Sequence, residues 1–339
     1  MIPELPEADP SLLHFEVEEN YAGWPLARYV AEKLRRPLDP GVLEKILRGS
    51  SLVHREPLLL PDTPVWPGLR FALRNRSSGD QGEPPEIPVV YEDHALLVVD
   101  KPAPLALHPS ARYFVSTLTH ALATRHRNAE GNKPDPAHRL DRETSGLVAC
   151  GRDPQHTRVL KAAFARREVE KSYLALVEGS PQGEFDIDLP LAVGTPRVKV
   201  KVRVDPKGMP ALTAFRTQRR YADEEGRPLA LVRCIPRTGR QHQIRAHLHA
   251  AGFPLVGDKL YGPDEGIFLK LAESGRSPPP RGEFDPLLTP DERRALRHVR
   301  HALHADELWL THPSSGERMR FSAPLPRDLR ALIAGLRPL

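Results

Sequence analysis

Apolar residues recur at helical spacing near the N-terminus and then fall into strand-sized runs along most of the chain. Leu26, Val30 and Leu34 lie at i, i+4 and i+8, which predicts a first helix. Asp39-Pro40 sets an N-cap before a proline at the first helical position. Val42, Leu43, Ile46 and Leu47 then make the apolar face of a second helix, which Gly49 ends. Short β-like runs follow at 51–54, 57–60 and 65–73. A polar, Gly- and Pro-rich stretch at 76–86, RSSGDQGEPPE, reads as a linker. Beyond it the strand candidates are 87–91, 95–100, 146–151, 171–178, 197–204 and 229–235. The helix candidates are 115–126, 154–166, where Asp153-Pro154 repeats the N-cap arrangement, and 241–251, closed by Gly252. Strands and helices mix without strict βαβ alternation, so the expected fold class is α+β. Residues 263–298, rich in proline, glycine and charge, read as an inserted loop or lid. The expected organisation is an acidic tail at 1–20, a small α/β module at 21–75, the linker, and a large domain at 87–335.

Composition narrows the class. A chain of 339 residues suggests two or three domains, and 40% hydrophobic with 27% charged residues is near the average for soluble proteins. The best apolar run, Ala95–Val99, is strand-sized and far short of the roughly 18 residues of a membrane span. The opening MIPELPEADPSLL has neither the basic start nor the apolar core of a secretory signal, so a cytoplasmic protein is expected. Cys150 and Cys234 are too few for a disulfide framework or a cysteine-built metal site. No long apolar surplus segment is evident, and a monomer is expected.

Charge is unevenly distributed. Residues 1–20 hold six acids and no Lys or Arg, whereas residues 197–245 hold thirteen Lys or Arg against four acids. The whole-chain value of +5 therefore hides a basic middle, the footprint of a polyanion partner or of a solvated charged face. Val198, Val200, Val202 and Val204 alternate with Lys199, Lys201 and Arg203, which predicts a strand whose basic face tracks phosphates.

The densest polar constellation is His138-Arg-Leu-Asp-Arg-Glu-Thr-Ser-Gly146, which runs straight into the apolar strand Leu147–Cys150. That arrangement puts Asp141 at the edge of the core, where a carboxylate is partly desolvated and held still. The string resembles the HRLDxxTSG signature of the RluA-type pseudouridine synthases, in which the aspartate is catalytic. Three further blocks fall in that family's order. Tyr91–Pro102 with His108-Pro109 is similar to its opening, with Pro104 where the family carries glycine. Glu170-Lys171-Ser172-Tyr173 resembles its KxYxA strand, and Arg237-Thr-Gly-Arg-Gln-His-Gln-Ile-Arg245 with Gly257-Asp258 and Tyr261-Gly262 resembles its TGRxHQIR…GDxxYG block. Arg300–Ala305 and His312-Pro313 match its closing pattern, and the likeness covers roughly 87–335. The N-terminal order of two helices then a hairpin resembles the small S-four-like RNA-binding module, although the turn reads RGSSLVHREP where that family shows a glycine-rich turn and an asparagine.

The resemblance implies a pseudouridine synthase domain with a mixed, largely antiparallel sheet flanked by helices. It also implies isomerisation of uridine in RNA, ribosomal ahead of transfer RNA, with Asp141 as nucleophile, Tyr173 stacked on the uracil and Arg245 as the ion-pair partner of Asp141. Such a reaction breaks a glycosidic C–N bond and re-forms a C–C bond without redox change, so neither cofactor nor metal is expected. Arg139 is the expected wedge or phosphate contact, and Arg142, Lys171, Lys199, Lys201, Arg203, Arg237, Arg240 and His242 are the expected RNA-binding set. His242, His247 and His249 lack the HExxH spacing of a catalytic zinc site. Two alternatives stay open: a catalytically silent RNA-binding protein on the same fold, and a nucleoside hydrolase using Glu143 as a second carboxylate.

Overall fold

The structure is a computed structural model that describes residues 12–33, 52–53, 59–74, 85–108, 116–274, 279 and 282–339. The second predicted helix, over Val42–Leu47, and most of the predicted linker lie outside the described residues. The chain divides into an N-terminal unit, to Gly82, and a larger unit that holds almost all the rest.

In the N-terminal unit β1 (Leu12–Glu16), β2 (Leu52–Val53) and β3 (Arg70–Arg74) form an antiparallel sheet in the order β1-β3-β2. Helix α1 (Leu26–Lys33) buries Leu26, Tyr29 and Val30 with Val65, Leu69 and Phe71. The stretch expected to be an acidic tail to residue 20 supplies β1 and the start of a short helical turn at Glu19–Tyr21. Its acids have work in the fold: Glu18 is ion-paired with Lys33, and Glu16 with Arg70 at 3.2 Å.

The larger unit is built on an 11-stranded sheet. Its strands are β4 (Val89–Glu92), β5 (Leu96–Lys101), β6 (Asp135–Pro136), β7 (Ser145–Gly151), β8 (Glu170–Glu178), β9 (Glu184–Asp188), β12 (Leu212–Ala222), β13 (Pro228–Pro236), β14 (Leu303–Thr311), β15 (Arg318–Ser322) and β16 (Arg337–Pro338). A separate hairpin pairs β10 (Leu191–Val193) with β11 (Val202–Val204). The main path runs β16-β12-β13-β8-β14-β7-β5-β4. Only β14 and β7 pair in parallel, so the sheet is mixed and largely antiparallel, as expected for the α+β class.

Two apolar layers cover the sheet. On one face Tyr173, Ala175 and Val177 pack with Leu118 and Leu122 of α2 (Leu118–Arg125) and with Ile244 and Leu248 of α4 (Gln243–Ala250). On the other, Leu147, Ala149, Leu308 and Leu310 pack with Leu160 and Ala163 of α3 (Pro154–Ala165). Each leucine fully buried in this way contributes about 1.5–3 kcal/mol. Helix α3 starts as the sequence requires, with Asp153 accepting from the His156 N–H at 2.9 Å ahead of Pro154.

Register sets the site. Cys234, Tyr173, Ala305, Gly146 and Lys101 form one row across β13, β8, β14, β7 and β5. Strand β7 begins one residue before this row, and β13 ends two residues beyond it. The loop entering β7 (138–144) and the loop leaving β13 (237–242) thus both close over the region of Tyr173. The parallel β7–β14 approach depends on Gly146. Its φ is 112°, and a Cβ there would lie 2.2 Å from the Ala305 carbonyl oxygen.

Three sequence expectations need correction. Within 197–204 only Val202–Val204 is a strand. The Gly194 N–H donates to the Lys201 carbonyl at 2.8 Å and the Thr195 N–H to the Val198 carbonyl at 3.0 Å, so a turn interrupts the alternation. Val198 and Val202 are buried while Val200 and Val204 are exposed. The stretch at 263–298 contains α5 (Glu265–Glu273) and α6 (Pro290–Leu296), which share a small apolar cluster of Ile267, Leu288 and Leu296. Strands β12, β14 and β15 and the C-terminal helix α7 (Arg327–Ala334) were not anticipated by the apolar pattern.

Candidate active site

The loop carrying Asp141 is fixed from beneath. Lys101, with no solvent exposure, donates to the carbonyls of Leu105 at 3.0 Å and Arg142 at 3.3 Å, and the Leu105 N–H reaches the same Arg142 carbonyl at 2.8 Å. His138 accepts from the Ala149 N–H of β7 at 3.1 Å through Nε2, and its ring stacks on Phe164 at 4.4 Å between centroids. Burial depresses its pKa to about 3, so the ring is neutral. Thr144 closes the turn with its N–H on the Asp141 carbonyl at 3.1 Å and shares a hydrogen bond with His301 Nε2 at 2.8 Å.

Asp141 and Arg245 come from segments 104 residues apart and meet at 2.8 Å, Nη1 donating to Oδ2. The other edge of the same guanidinium is chelated by Asp258, through Nε at 2.7 Å and Nη2 at 2.9 Å. Asp258 is fully buried, and its Oδ1 also accepts from the N–H groups of Leu260 and Tyr261, each at 3.0 Å. Arg245 therefore cannot turn without breaking a buried bidentate pair. Burial pushes the Asp141 carboxyl upward, but the Arg245 charge, with smaller contributions from His242 and His301, outweighs it and holds the pKa below the ordinary range. The group is an ionised carboxylate in a desolvated setting.

His242 stands in the left-handed region, at φ 51°, just before α4. Its Nε2 lies 3.8 Å from Asp141 Oδ2, and its Nδ1 lies 3.1 Å from the Tyr261 hydroxyl. That hydroxyl already accepts from the Val202 N–H at 2.7 Å, and giving its proton to Nδ1 leaves the imidazole proton on Nε2, facing Asp141. Burial lowers the His242 pKa to about 4, so the ring is neutral near pH 7.

Asp141, His242 and Arg245 line a cavity of about 340 Å³, within the range of small-molecule sites. Asp141, Tyr173 and Arg245 all face it, as do Arg139, Lys171, Arg237, Arg240 and His242. Among its described lining residues Asp141 is the one carboxylate. Tyr173 is largely buried in the wall, and burial, reinforced by the nearby Asp141 charge, keeps its hydroxyl protonated.

Four predicted site residues lie elsewhere. Arg142 bonds Glu143 at 3.1 Å and is not part of the cavity wall. Lys201 is paired with Glu265 at 2.8 Å, Arg203 with Asp205 at 2.7 Å, and Lys199 is exposed; none of the three lines the cavity. The wholly basic strand face predicted there does not form, because Lys199 and Lys201 precede the strand and Lys201 and Arg203 are each paired with an acid. Glu143 is also committed, accepting twice from Lys259 at 3.0 Å, and does not line the cavity. A second, water-activating carboxylate is thus missing among the described residues of the wall. His247 is bonded to Thr213 and to the Leu189 carbonyl, each at 3.0 Å, as a structural group.

Sequence reasoning overlooked Asp258, Tyr261 and His301 as parts of the site. Asp258 and Tyr261 lie within the quoted GDxxYG block and His301 within the closing block, but no spacing rule ties them to Arg245.

Known proteins bear on this geometry directly. The description of the family whose model matches residues 95–250 is RNA pseudouridylate synthase, and that span contains Asp141, Tyr173 and Arg245. The chain is 39% identical over 257 residues to the ribosomal large subunit pseudouridine synthase D of Xanthomonas campestris pv. campestris, covering 75% of this chain and 71% of that one. The chain belongs to the RNA pseudouridylate synthase family. The same-named synthase of Zymomonas mobilis is 30% identical over 330 residues, covering 93% and 94% of the two chains. That of Escherichia coli K12 is 32% identical over 327 residues, covering 95% and 93%. Among solved structures the synthase fold matches human RNA Pseudouridylate Synthase Domain Containing 1 with a TM-score of 0.56 at 25% identity, covering 77% of this chain and 91% of that one. The chain is an RNA pseudouridine synthase.

Proposed function

We propose that this synthase converts uridine to pseudouridine in large-subunit ribosomal RNA, with Asp141 as the nucleophile. The observation that carries the reading is the ionised Asp141 carboxylate. It stands alone among the described acids of the cavity wall, held by Arg245 and flanked by Tyr173. The names of the relatives supply the choice of ribosomal over transfer RNA.

The reaction needs uracil to leave the anomeric carbon, turn, and return through its carbon 5, which then loses its proton while N1 takes one up. As the C–N bond breaks, positive charge grows on the sugar, and a fixed carboxylate meets that charge in a low-dielectric pocket. Tyr173 offers a flat face for the base, a contact worth about 1–3 kcal/mol. Retaining the detached uracil favours isomerisation over hydrolysis, and the committed state of Glu143 supports the same choice.

The target uridine has to leave its stack, at a cost of a few kcal/mol. Arg139 at the cavity wall is suited to fill the vacated space, while Lys171, Arg237, Arg240 and His242 supply donors around the extruded nucleotide. The S-four-like resemblance of the sequence over residues 21–75 supports a second RNA contact there.

Mapping pseudouridines in ribosomal and transfer RNA with and without the gene tests the reading. Loss of one or more sites in large-subunit RNA alone is the expected result. Loss confined to transfer RNA would replace the substrate, and no change in either pool would overturn the assignment.

A further inference from the structure

Among the described residues three that are not glycine adopt a left-handed backbone: Arg167 at φ 63°, His242 at 51° and Arg297 at 63°. Long side chains disfavour that conformation, and residues held in it concentrate where the side chain has a task. Arg297 ends α6 and is ion-paired with Glu178 at 2.8 Å and with Asp223. His242 bonds Tyr261 and faces Asp141. The Arg167 guanidinium has no hydrogen-bond or ion-pair partner among the described residues.

Arg167 follows the last turn of α3. Its N–H donates to the Phe164 carbonyl at 3.2 Å, and the Glu168 N–H to the Ala163 carbonyl at 3.0 Å. These are the two bonds of a Schellman turn, whose left-handed position is usually glycine. Adjacent Arg166 is occupied by Glu168, through bonds of 2.6 and 2.9 Å. Arg167 instead lines the cavity that holds Asp141, along a wall shared with His138, Phe164 and Lys171. Lys171, Arg139 and Arg237 on that wall likewise form no ion pair with a described residue.

We propose that Arg167 is a phosphate-binding residue of the RNA site, gripping a backbone phosphate beside the extruded uridine. The inference rests on the cavity being the RNA site. A planar guanidinium pairs with phosphate through two parallel bonds. Among the described residues no carboxylate pairs with Arg139, Arg167, Lys171 or Arg237, so the counter-charge for these four cations arrives with the substrate. The turn keeps an arginine where glycine would sit more easily because the substrate needs the charge at that point.

Arg167→Gly and Arg167→Lys, assayed on an RNA fragment that the wild-type enzyme modifies, test the proposal. Arg167→Gly should raise KM about tenfold, with the loss falling more on KM than on kcat. It should flatten the dependence of log KM on log salt by about 0.7–0.9, one phosphate contact. Its Tm should be no lower than wild type, because glycine relaxes the turn. Arg167→Lys should recover part of the salt dependence. A wild-type KM and salt slope in Arg167→Gly would overturn the proposal, as would weaker binding with an unchanged slope, which means contact with a base or sugar. A fall in activity that merely tracks a fall in Tm would make the residue structural and also overturn it. A wild-type enzyme silent on ribosomal RNA would count against the substrate, whereas an active wild type beside a fully active Arg167→Gly would count against Arg167 alone.

Discussion

Arg245 and Asp141, joined at 2.8 Å across 104 residues of sequence, link helix α4 to the loop that enters β7. The pair decides the charge state of Asp141, the proposed nucleophile, since burial and the guanidinium act on the carboxyl in opposite directions. The sign of the outcome is testable. Wild-type single-turnover rates should stay flat from pH 8 down to about 5, because Asp141 protonates only below the ordinary carboxyl range. In Arg245→Ala burial is unopposed, so the carboxyl pKa rises and the rate should fall as pH drops from 7 to 5. Arg245→Lys keeps the charge and should keep the profile flat. A constant loss in Arg245→Ala, equal at every pH, would mean that Arg245 does not govern ionisation.

Asp258 orients that guanidinium from the edge that does not meet Asp141. Asp258→Asn should lower kcat about 10²-fold with a smaller change in KM, the usual cost of a misplaced group of about 1 Å. Breaking a buried pair by removing one partner also costs about 3–5 kcal/mol, visible as a lower urea midpoint. A stable variant with normal kcat would show that Arg245 holds its position without Asp258.

Gly146→Ala tests the strand approach that sets the row through Tyr173. Its Cβ would meet the Ala305 carbonyl oxygen at 2.2 Å on a backbone of φ 112°. The variant should lose several kcal/mol, about 3 or more, and lose activity with it. Near-normal thermal stability would indicate that β7 and β14 can separate at this point without harm.

Acid sensitivity should follow from the groups around the site. Lys259, Arg142 and His301 overcome the burial of Glu143 and lower its pKa from 4.5 to about 2. A depressed carboxyl adds stability above its unfolded pKa, and that stability is lost as pH falls from about 4.5 to 2, on the order of 3 kcal/mol. Buried, neutral His138 and His301, each lowered from 6.5 to about 3, act with the same sign and begin nearer pH 6.5. Urea midpoints should therefore fall throughout this acid range. Glu143→Gln, less stable at pH 7, should flatten only the part below about 4.5; an unchanged slope there would remove Glu143 as its source.

Much of the site was legible because its chemistry is written in contiguous strings. HRLDRETSG, EKSY and RTGRQHQIR each carry a residue that the sheet register brings to one cavity. Local periodicity failed where tertiary structure breaks it. Strand β12 has a register shift between Thr217 and Arg219 and buries Thr213 and Phe215 at one end and the adjacent Tyr221 and Ala222 at the other, with five residues between them that are not buried, so no sustained period-2 signal survives. The valines at 198–204 alternate in sequence, yet a turn places Val198 and Val202 inward and leaves Val200 exposed. Charge counted along the chain also misled in detail. Lys201 and Arg233 of the basic block are paired with Glu265, Asp306 and Glu307 from distant segments, whereas Arg139 and Lys171 join Arg237 and Arg240 only in space. The supporting role of Asp258 depends on a fold-level meeting with Arg245 that no spacing encodes.

The most direct test of the central claim compares wild-type enzyme with Asp141→Asn on large-subunit ribosomal RNA, measuring both RNA binding and pseudouridine formed. The substitution keeps the side-chain shape and removes the charge that meets the breaking glycosidic bond. The expected result is RNA binding within a few-fold of wild type and no pseudouridine above background. Pseudouridine formed by Asp141→Asn at a substantial fraction of the wild-type rate would contradict a nucleophilic role for Asp141.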